Sequence, residues 1–294
     1  MVGNWDEIRT AYQVARMGTV SGAAEVLGVH HATVIRHIDA LETRLGTKLF
    51  QRHARGYTPT EAGQDLLTVA QATDDQLTQL VGRLKGRGEE MAGELIVTSV
   101  PDLASLLTPW LARFQAMHPG LIIRFMTDSR LFRLEYGEAH VAIRAGAVPE
   151  EPDNVVQPFG RTDDKLYASR AYAEAHGVPG ADGDLAGHRF VCSDSRESRA
   201  PYNRWIHANV PDDQIVFRAS EQRVVELAVR AGAGIGHIPV WDARDDPDLV
   251  EAIPLPDTFS APAWLVTHVD LHRTTKVQAL TRFLKEEAKA LSLQ

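Results

Sequence analysis

Five side chains in one short stretch could read nucleic acid: His30, His31, Thr33, Arg36 and His37 fall within eight residues. Each offers a hydrogen bond or positive charge, and at the leading end of a helix such groups match the donors and acceptors on base edges in the DNA major groove. His31 and Thr33 are the expected base-edge contacts, Arg36 the expected phosphate contact, and His30 lies between those tasks. Further along, Lys48-Leu-Phe-Gln-Arg52 and Tyr57-Thr-Pro59 read as a small hairpin joined around Arg55-Gly56, so Arg52 and Arg55 would arm its tip against phosphate. From His31 to Thr58 five Lys and Arg side chains stand against two carboxylates, although the whole chain carries a formal net charge of -8. The local distribution matters more than the total for such a partner.

These residues need elements to hold them. Trp5 to Met17 reads as a first helix with Ile8, Ala11, Tyr12 and Ala15 facing inward. Ser21 is the expected cap of a second, short helix, Ala23 and Ala24 permit close packing, and Gly28 supplies the turn into a third helix from about His31. In that third helix Val34, Ile38, Leu41 and Leu45 recur at i, i+4, i+7 and i+11, which makes one buried stripe and leaves the opposite face for a partner. Helix, turn, helix and hairpin together are a winged helix-turn-helix over residues 1–60.

Thr60 can cap a long helix from Glu61 to about Arg87. Along it Leu66, Ala70, Thr73, Leu77, Leu80 and Leu84 alternate four and three apart, a heptad rhythm. Pairing with a second copy through Leu66, Ala70, Leu77, Leu80 and Leu84 is the economical reading; packing on its own domain is the alternative. Gly86-Arg-Gly88 and Gly93 mark a hinge, so residues 61–92 form the linker.

Beyond the hinge, strands alternate with helices: Leu95–Thr98, Leu121–Met126, His140–Ile143, Asp164–Ala168, Phe190–Cys192, Ile215–Phe217 and Trp264–Thr267 are the strand candidates. That succession predicts mainly parallel sheets covered by helices, in two α/β lobes with a cleft between them. Ligands in such sheets bind beyond the carboxyl ends of strands, near helix N-termini. Ser99 and Ser220 follow strands and precede helices, so they are effector-binding candidates; Thr127 and Arg144 are further candidates for the same rim. Ser99 and Ser220 read equally well as plain helix caps. Asp102 and Glu221, in the first turns, already answer the helix dipole.

Several motifs keep an order seen elsewhere: Leu41-Glu through Leu45-Gly-Thr-Lys-Leu-Phe50, then Thr58-Pro-Thr-Glu-Ala-Gly63, then Gly137-Glu-Ala-His-Val-Ala-Ile143. On these the chain resembles the LysR-type transcriptional regulators along its whole length. Where that family most often shows Ser-Gln-Pro before Ala-Val-Ser-Arg, this chain has His30-His31-Ala32 before Thr33-Val34-Ile35-Arg36, so its base preference is expected to be its own. The resemblance implies an α/β protein with an N-terminal all-α winged helix-turn-helix, a long linker helix and a two-lobed, periplasmic-binding-protein-like effector domain over residues 93–294. It places lobe one at about 93–158 plus 267–294 and lobe two at about 159–266, with crossings near Gln157 and Val266. It also implies a dimer that sets two recognition helices at the half-sites of a near-palindrome, and an effector, commonly an anion, touching Ser or Thr hydroxyls in the cleft.

Other chemistries lack support. One cysteine, Cys192, allows no internal disulfide or zinc ribbon. His30, His31, His37 and His53 have no carboxylate or thiol to complete a metal set, and no cofactor is expected. Gly232-Ala-Gly-Ile-Gly236 follows a helix, the reverse of a nucleotide fingerprint. Ser193, Asp194, Ser195 and Ser198, with His188 and His207 nearby, lack a nucleophile elbow, so no enzyme site is read. No apolar run is long enough for a bilayer and Trp5-Asp6-Glu7 departs from a signal peptide, which makes the cytoplasm the expected location and excludes a membrane partner. The expected partners are double-stranded DNA, a second copy in a homodimer or a tetramer built from dimers, and a small-molecule effector. The alternative is a ligand-independent DNA-binding regulator whose two-lobed domain serves only oligomerisation.

Overall fold

Three helices, α1 (Trp5–Met17), α2 (Val20–Leu27) and α3 (His31–Leu45), open the chain in a computed structural model that describes residues 4–53, 56–84, 91–179, 184–253 and 259–291. Each helix stops on a glycine, Gly18, Gly28 and Gly46, with φ of 68°, 64° and 68°, a left-handed conformation that costs a side-chain-bearing residue more. Ala11, Val14, Ala23, Ala24, Val34, Ile38 and Leu41 close the core between them. Two expectations need correcting. Helix α2 begins one residue before Ser21, and its cap is Thr19, whose hydroxyl accepts from the Gly22 N–H at 3.1 Å. Leu45 is 53% exposed, because α3 ends there and the chain turns away at Gly46.

The wing is β1 (Phe50–His53) paired antiparallel with β2 (Gly56–Pro59), Arg52 opposite Tyr57. It is seated on the corner between α1 and α2: the Tyr57 N–H donates to the Gly18 carbonyl at 2.8 Å. A Cβ on Gly56 would collide with that same carbonyl oxygen.

Helix α4 (Glu61–Leu84) has 24 residues. Thr60 caps it, accepting from the Gly63 N–H at 3.2 Å and donating to the Lys48 carbonyl at 2.6 Å. At one end α4 lies against α1, with Leu66 on the helix-turn-helix core. Further along it meets the two-lobed domain, where the Thr68 hydroxyl donates to the Glu135 carbonyl at 2.7 Å and Gln71 bonds the His140 ring at 2.9 Å. Ala70 is buried within its own chain, which corrects the expectation that it faces a second copy, and Leu66 is half-buried against the helix-turn-helix core. A helix bridging two domains buries its stripe on both of them. Val69 and Leu77 stay 58% and 41% exposed; the Leu80 and Leu84 side chains lie outside the described residues.

The remaining elements are β3 (Gly93–Ser99), α5 (Ala104–Met117), β4 (Leu121–Thr127), β5 (Val141–Ala145), β6 (Asn154–Thr162), β7 (Asp164–Ser169), α6 (Arg170–His176), β8 (Phe190–Ser193), α7 (Pro201–Asn209), β9 (Ile215–Ala219), α8 (Gln222–Arg230), β10 (Gly236–Pro239), α9 (Val240–Ala243), β11 (Leu249–Glu251), β12 (Ala261–His268), α10 (Val269–His272) and α11 (Thr275–Ala290). The first lobe is a sheet ordered β4-β3-β5-β12-β6, in which β3 runs parallel to β4 and β5 while β12 is antiparallel to β5 and β6. Trp110 and Phe114 of α5 and Leu280 and Leu284 of α11 cover one face over Leu95, Val97 and Leu265. In the second lobe β8 pairs parallel with β9, and Ile235 links that pair to β10-β7-β11. There β7 is antiparallel to both neighbours, so the mainly parallel expectation fits the first sheet better than the second.

Strands β6 and β12 stay paired from Asn154 opposite His268 to Thr162 opposite Ala261. The chain thus leaves the first sheet after Thr162 and rejoins it at Ala261, not at Gln157 and Val266. A bulge at Ala263/Trp264 lets the pairing run on instead of ending.

Candidate nucleic-acid interface and the cleft between the lobes

No side chain caps α3, whose first carbonyl, that of His30, accepts from the Thr33 N–H at 2.9 Å. The helix therefore presents uncapped N–H groups and the positive end of its dipole. His30, His31 and Arg36 are exposed around that end and Thr33 is half-buried. Among the described residues Arg36 makes no ion pair.

His37 takes a different part. Its Nδ1 lies 2.9 Å from the Thr10 hydroxyl, which donates its single hydrogen to the Asp6 carbonyl at 2.6 Å. The hydroxyl can then only accept, so His37 Nδ1 carries the proton and donates. The half-buried ring fastens α3 to α1 through this nitrogen, so its expected part as a DNA contact falls to the rest of the ring.

Arg52 is also engaged inside the chain. Its guanidinium lies 2.5 Å from Asp39 Oδ1 and 3.2 Å from Glu42 Oε2, above the Tyr57 ring. The expected free phosphate contact is thus an ion pair between wing and recognition helix. The Asp39 hydrogen bond leads the causes that raise its already high pKa. Glu42 is the organising group: its side chain is 2% exposed, and it accepts from the Leu49 and Phe50 N–H groups at 3.0 and 3.2 Å and from Lys48 Nζ at 2.7 Å. Burial alone would raise its pKa; the hydrogen bonds from Lys48, Leu49 and Phe50 outweigh that and hold the carboxyl below its ordinary range. Arg44 pairs with Glu7 of α1. The positive excess read in the sequence is therefore mostly satisfied within the module, and Arg55 lies outside the described residues.

In the two-lobed domain the expected residues are not gathered into one site. Ser99 is buried, and its hydroxyl donates to the Val100 carbonyl at 2.9 Å, so it caps no helix. Thr127 and Ser220 are exposed, and no side chain caps α8. Arg144, 8% exposed, donates to both Glu151 carboxylate oxygens and to the Phe132 carbonyl, each at 3.1 Å. Its guanidinium clamps two loops, which corrects its assignment as an effector contact.

A different polar set joins the lobes. The Tyr202 hydroxyl, from α7, donates at 2.6 Å to Asp102, which follows β3. Its ring stacks on His237 of β10, centroids 3.5 Å apart and 2° from parallel. Gln222 Nε2 lies 2.8 Å from His237 Nδ1, and His237 Nε2 lies 2.8 Å from Asp164 Oδ1. Nδ1 therefore accepts and Nε2–H donates. Burial pushes the Asp102 carboxyl up, with His237 opposing and Asp164 reinforcing the shift; burial also pushes the Tyr202 phenol well up. A second link lies alongside, where Ser105 donates to Asp242 at 2.6 Å and the Trp241 indole N–H donates to Ser105 at 3.2 Å. Asp102 stands out in the sequence as a first-turn acid, but its partners do not, because Asp164, Tyr202, Gln222 and His237 come from segments that share no motif.

Residues 5–64 match the family model for bacterial regulatory helix-turn-helix proteins of the lysR family, and residues 88–289 match the LysR substrate binding domain. The chain belongs to the LysR family. It is a LysR-type DNA-binding transcriptional regulator with an effector-binding domain. One relative, the HTH-type transcriptional activator IlvY of Salmonella typhimurium, is 37% identical over 253 residues, 83% of this chain and 85% of that one. Full-length LysG from Corynebacterium glutamicum, solved with bound effector Arg, shares the fold at TM-score 0.71 and 17% identity over 98% of each chain. Full-length CbnR, solved with its target DNA, shares it at TM-score 0.57 and 19% identity over 97% of this chain and 100% of that one. Among the described residues of this LysR regulator no helix is long and apolar enough to cross a membrane.

Proposed function

We propose that this LysR-type regulator acts in the cytoplasm as a homodimer whose α3 helices read the two halves of a near-palindromic duplex. The observation that carries this reading is the division of charge in the module: Arg44, Lys48 and Arg52 are ion-paired internally, while His30, His31 and Arg36 stand exposed at the end of α3. His31 and Thr33 approach base edges, and Arg36 and the α3 N-terminus hold phosphate. CbnR, seen with its target DNA, supports the placement. The exposed Val69 and Leu77 of α4 supply the pairing face. Residues 1–60 act as the reader, 61–92 as the linker and 93–294 as the sensor.

The sensor's ligand is a small molecule that enters between the lobes and takes the place of Tyr202 on Asp102. LysG, solved with bound Arg, supports a small polar effector. The ligand-independent reading keeps one specific support: the Tyr202–Asp102 bond already satisfies the cleft. Genome-fragment selection with purified protein at two salt concentrations tests the reader. A short near-palindromic site whose affinity falls with salt is expected; no preferred site, with or without cellular metabolites added, would contradict it. A thermal-shift screen of small metabolites separates the sensor readings, since a ligand that raises Tm in wild type and not in Asp102→Asn supports the cleft.

A further inference from the structure

The outward face of α3 carries a feature that reading of DNA does not require. Asp39 lies one turn beyond Arg36 on the exposed side of the helix, and its carboxylate sits 2.5 Å from the Arg52 guanidinium of the wing. The Asp39 side chain is 52% exposed and that of Arg52 36%. The pair therefore lies at the surface, where a phosphate could reach it. Glu42 also touches Arg52, but its two oxygens already serve the Leu49 and Phe50 N–H groups and Lys48. Asp39 has no such prior commitments, and Arg52 is the one side chain bonded to its carboxylate among the described residues.

We infer that Asp39 sets the sequence-independent affinity of the module, keeping its hold on all duplexes, random DNA included, weak by holding Arg52 away from phosphate. The inference rests on the reading of α3 as the DNA-facing helix. A phosphate contact adds affinity for every sequence alike, whereas base contacts add it for one. A carboxylate that occupies a wing arginine thus lowers the sequence-independent part of binding and leaves the sequence-dependent part with His31 and Thr33. Right and wrong duplexes alike meet an occupied arginine, so affinity falls by the same factor for all of them and the ratio between sites is left to the base contacts.

The test compares wild type, Asp39→Asn, Arg52→Gln, the double variant and Arg36→Gln, each titrated against a random duplex and a selected site over a salt series. Asp39→Asn should bind the random duplex about three- to tenfold more tightly, with the salt slope steeper by about 0.9, the increment for one phosphate contact. Affinity for the selected site should rise by a similar factor, so the preference between the two duplexes stays as in wild type. In the Arg52→Gln background the same Asp39 change should have no effect. If Asp39→Asn leaves affinity and salt slope unchanged while Arg36→Gln weakens binding, the inference fails and the α3 reading stands. If Arg36→Gln also changes nothing, the α3 reading itself fails. If the Asp39→Asn gain persists without Arg52, the carboxylate acts through its own charge and the arginine mechanism is overturned. Thermal melting of Asp39→Asn should match wild type, because exposed ion pairs contribute little to stability.

Discussion

The recognition module and the cleft solve opposite problems with the same kinds of side chain. In the module Arg44, Lys48 and Arg52 are ion-paired, while His30, His31 and Arg36 stand exposed where a partner can reach them. In the cleft the polar groups satisfy one another: Asp102 with Tyr202, Tyr202 stacked on His237, His237 with Asp164 and Gln222. The first region can bind without rearranging. In the proposed mode the second gives up its Tyr202–Asp102 bond when a ligand enters, which would couple binding in the cleft to the relation of its lobes.

The largest expected effect tests the internal pairing of the module. Glu42→Ala strands the Leu49 and Phe50 N–H groups and two cations, and should cost about 2–4 kcal/mol in chemical denaturation. Because the folded-state pKa of Glu42 lies below its ordinary value, its contribution is present above the unfolded value of about 4.3 and is lost as pH falls through the folded one. The difference between wild type and Glu42→Ala should therefore be largest at pH 7 and shrink as pH falls below about 4.3.

Next comes the bond that closes the cleft. Tyr202→Phe leaves the Asp102 carboxylate without its hydroxyl donor and should cost about 1–2 kcal/mol at pH 7. Burial raises the Asp102 pKa, so the carboxyl favours the folded state below its unfolded value of about 3.9 and loses that benefit as pH rises through the folded one. The Tyr202→Phe penalty should accordingly shrink in acid, as Asp102 takes up its proton. A penalty unchanged between pH 7 and pH 4 would mean that the Asp102–Tyr202 bond does not hold the lobes.

Arg36→Gln should weaken binding about three- to tenfold on all duplexes and lower the salt slope by about 0.9. Full affinity would place α3's outer face away from DNA. The smallest effect concerns Cys192, which is 0% exposed, with a thiol pushed up to about 11 by burial. Native protein at pH 8 should resist alkylation that goes to completion in denaturant.

These differences track what could be read in the chain. The helix-turn-helix was legible because its parts lie within some sixty residues and each is local: the stripe Val34, Ile38 and Leu41, the turn glycine Gly28, the cap Thr60. What failed there was pairing. Nothing in the spacing shows that Arg52 meets Asp39 and Glu42, or that His37 meets Thr10, because those contacts depend on how the wing and α1 pack on α3. Leu66 and Ala70 kept their heptad spacing, yet the helix found its cover in its own chain. In the two-lobed domain the strands were legible from their apolar runs, whereas the cleft was not. Arg144 looked available until tertiary structure placed Glu151 and the Phe132 carbonyl on its guanidinium. Tyr202 and His237 meet only because α7 packs on β7 and β8, beside β10.

The most direct measurement is a selection from randomised duplexes run in parallel with wild type and His31→Ala. Wild type should select a short near-palindromic site, and the variant should show altered base preferences at matching positions of both half-sites. An identical preference profile from the two proteins would contradict the claim that the exposed end of α3 reads the bases.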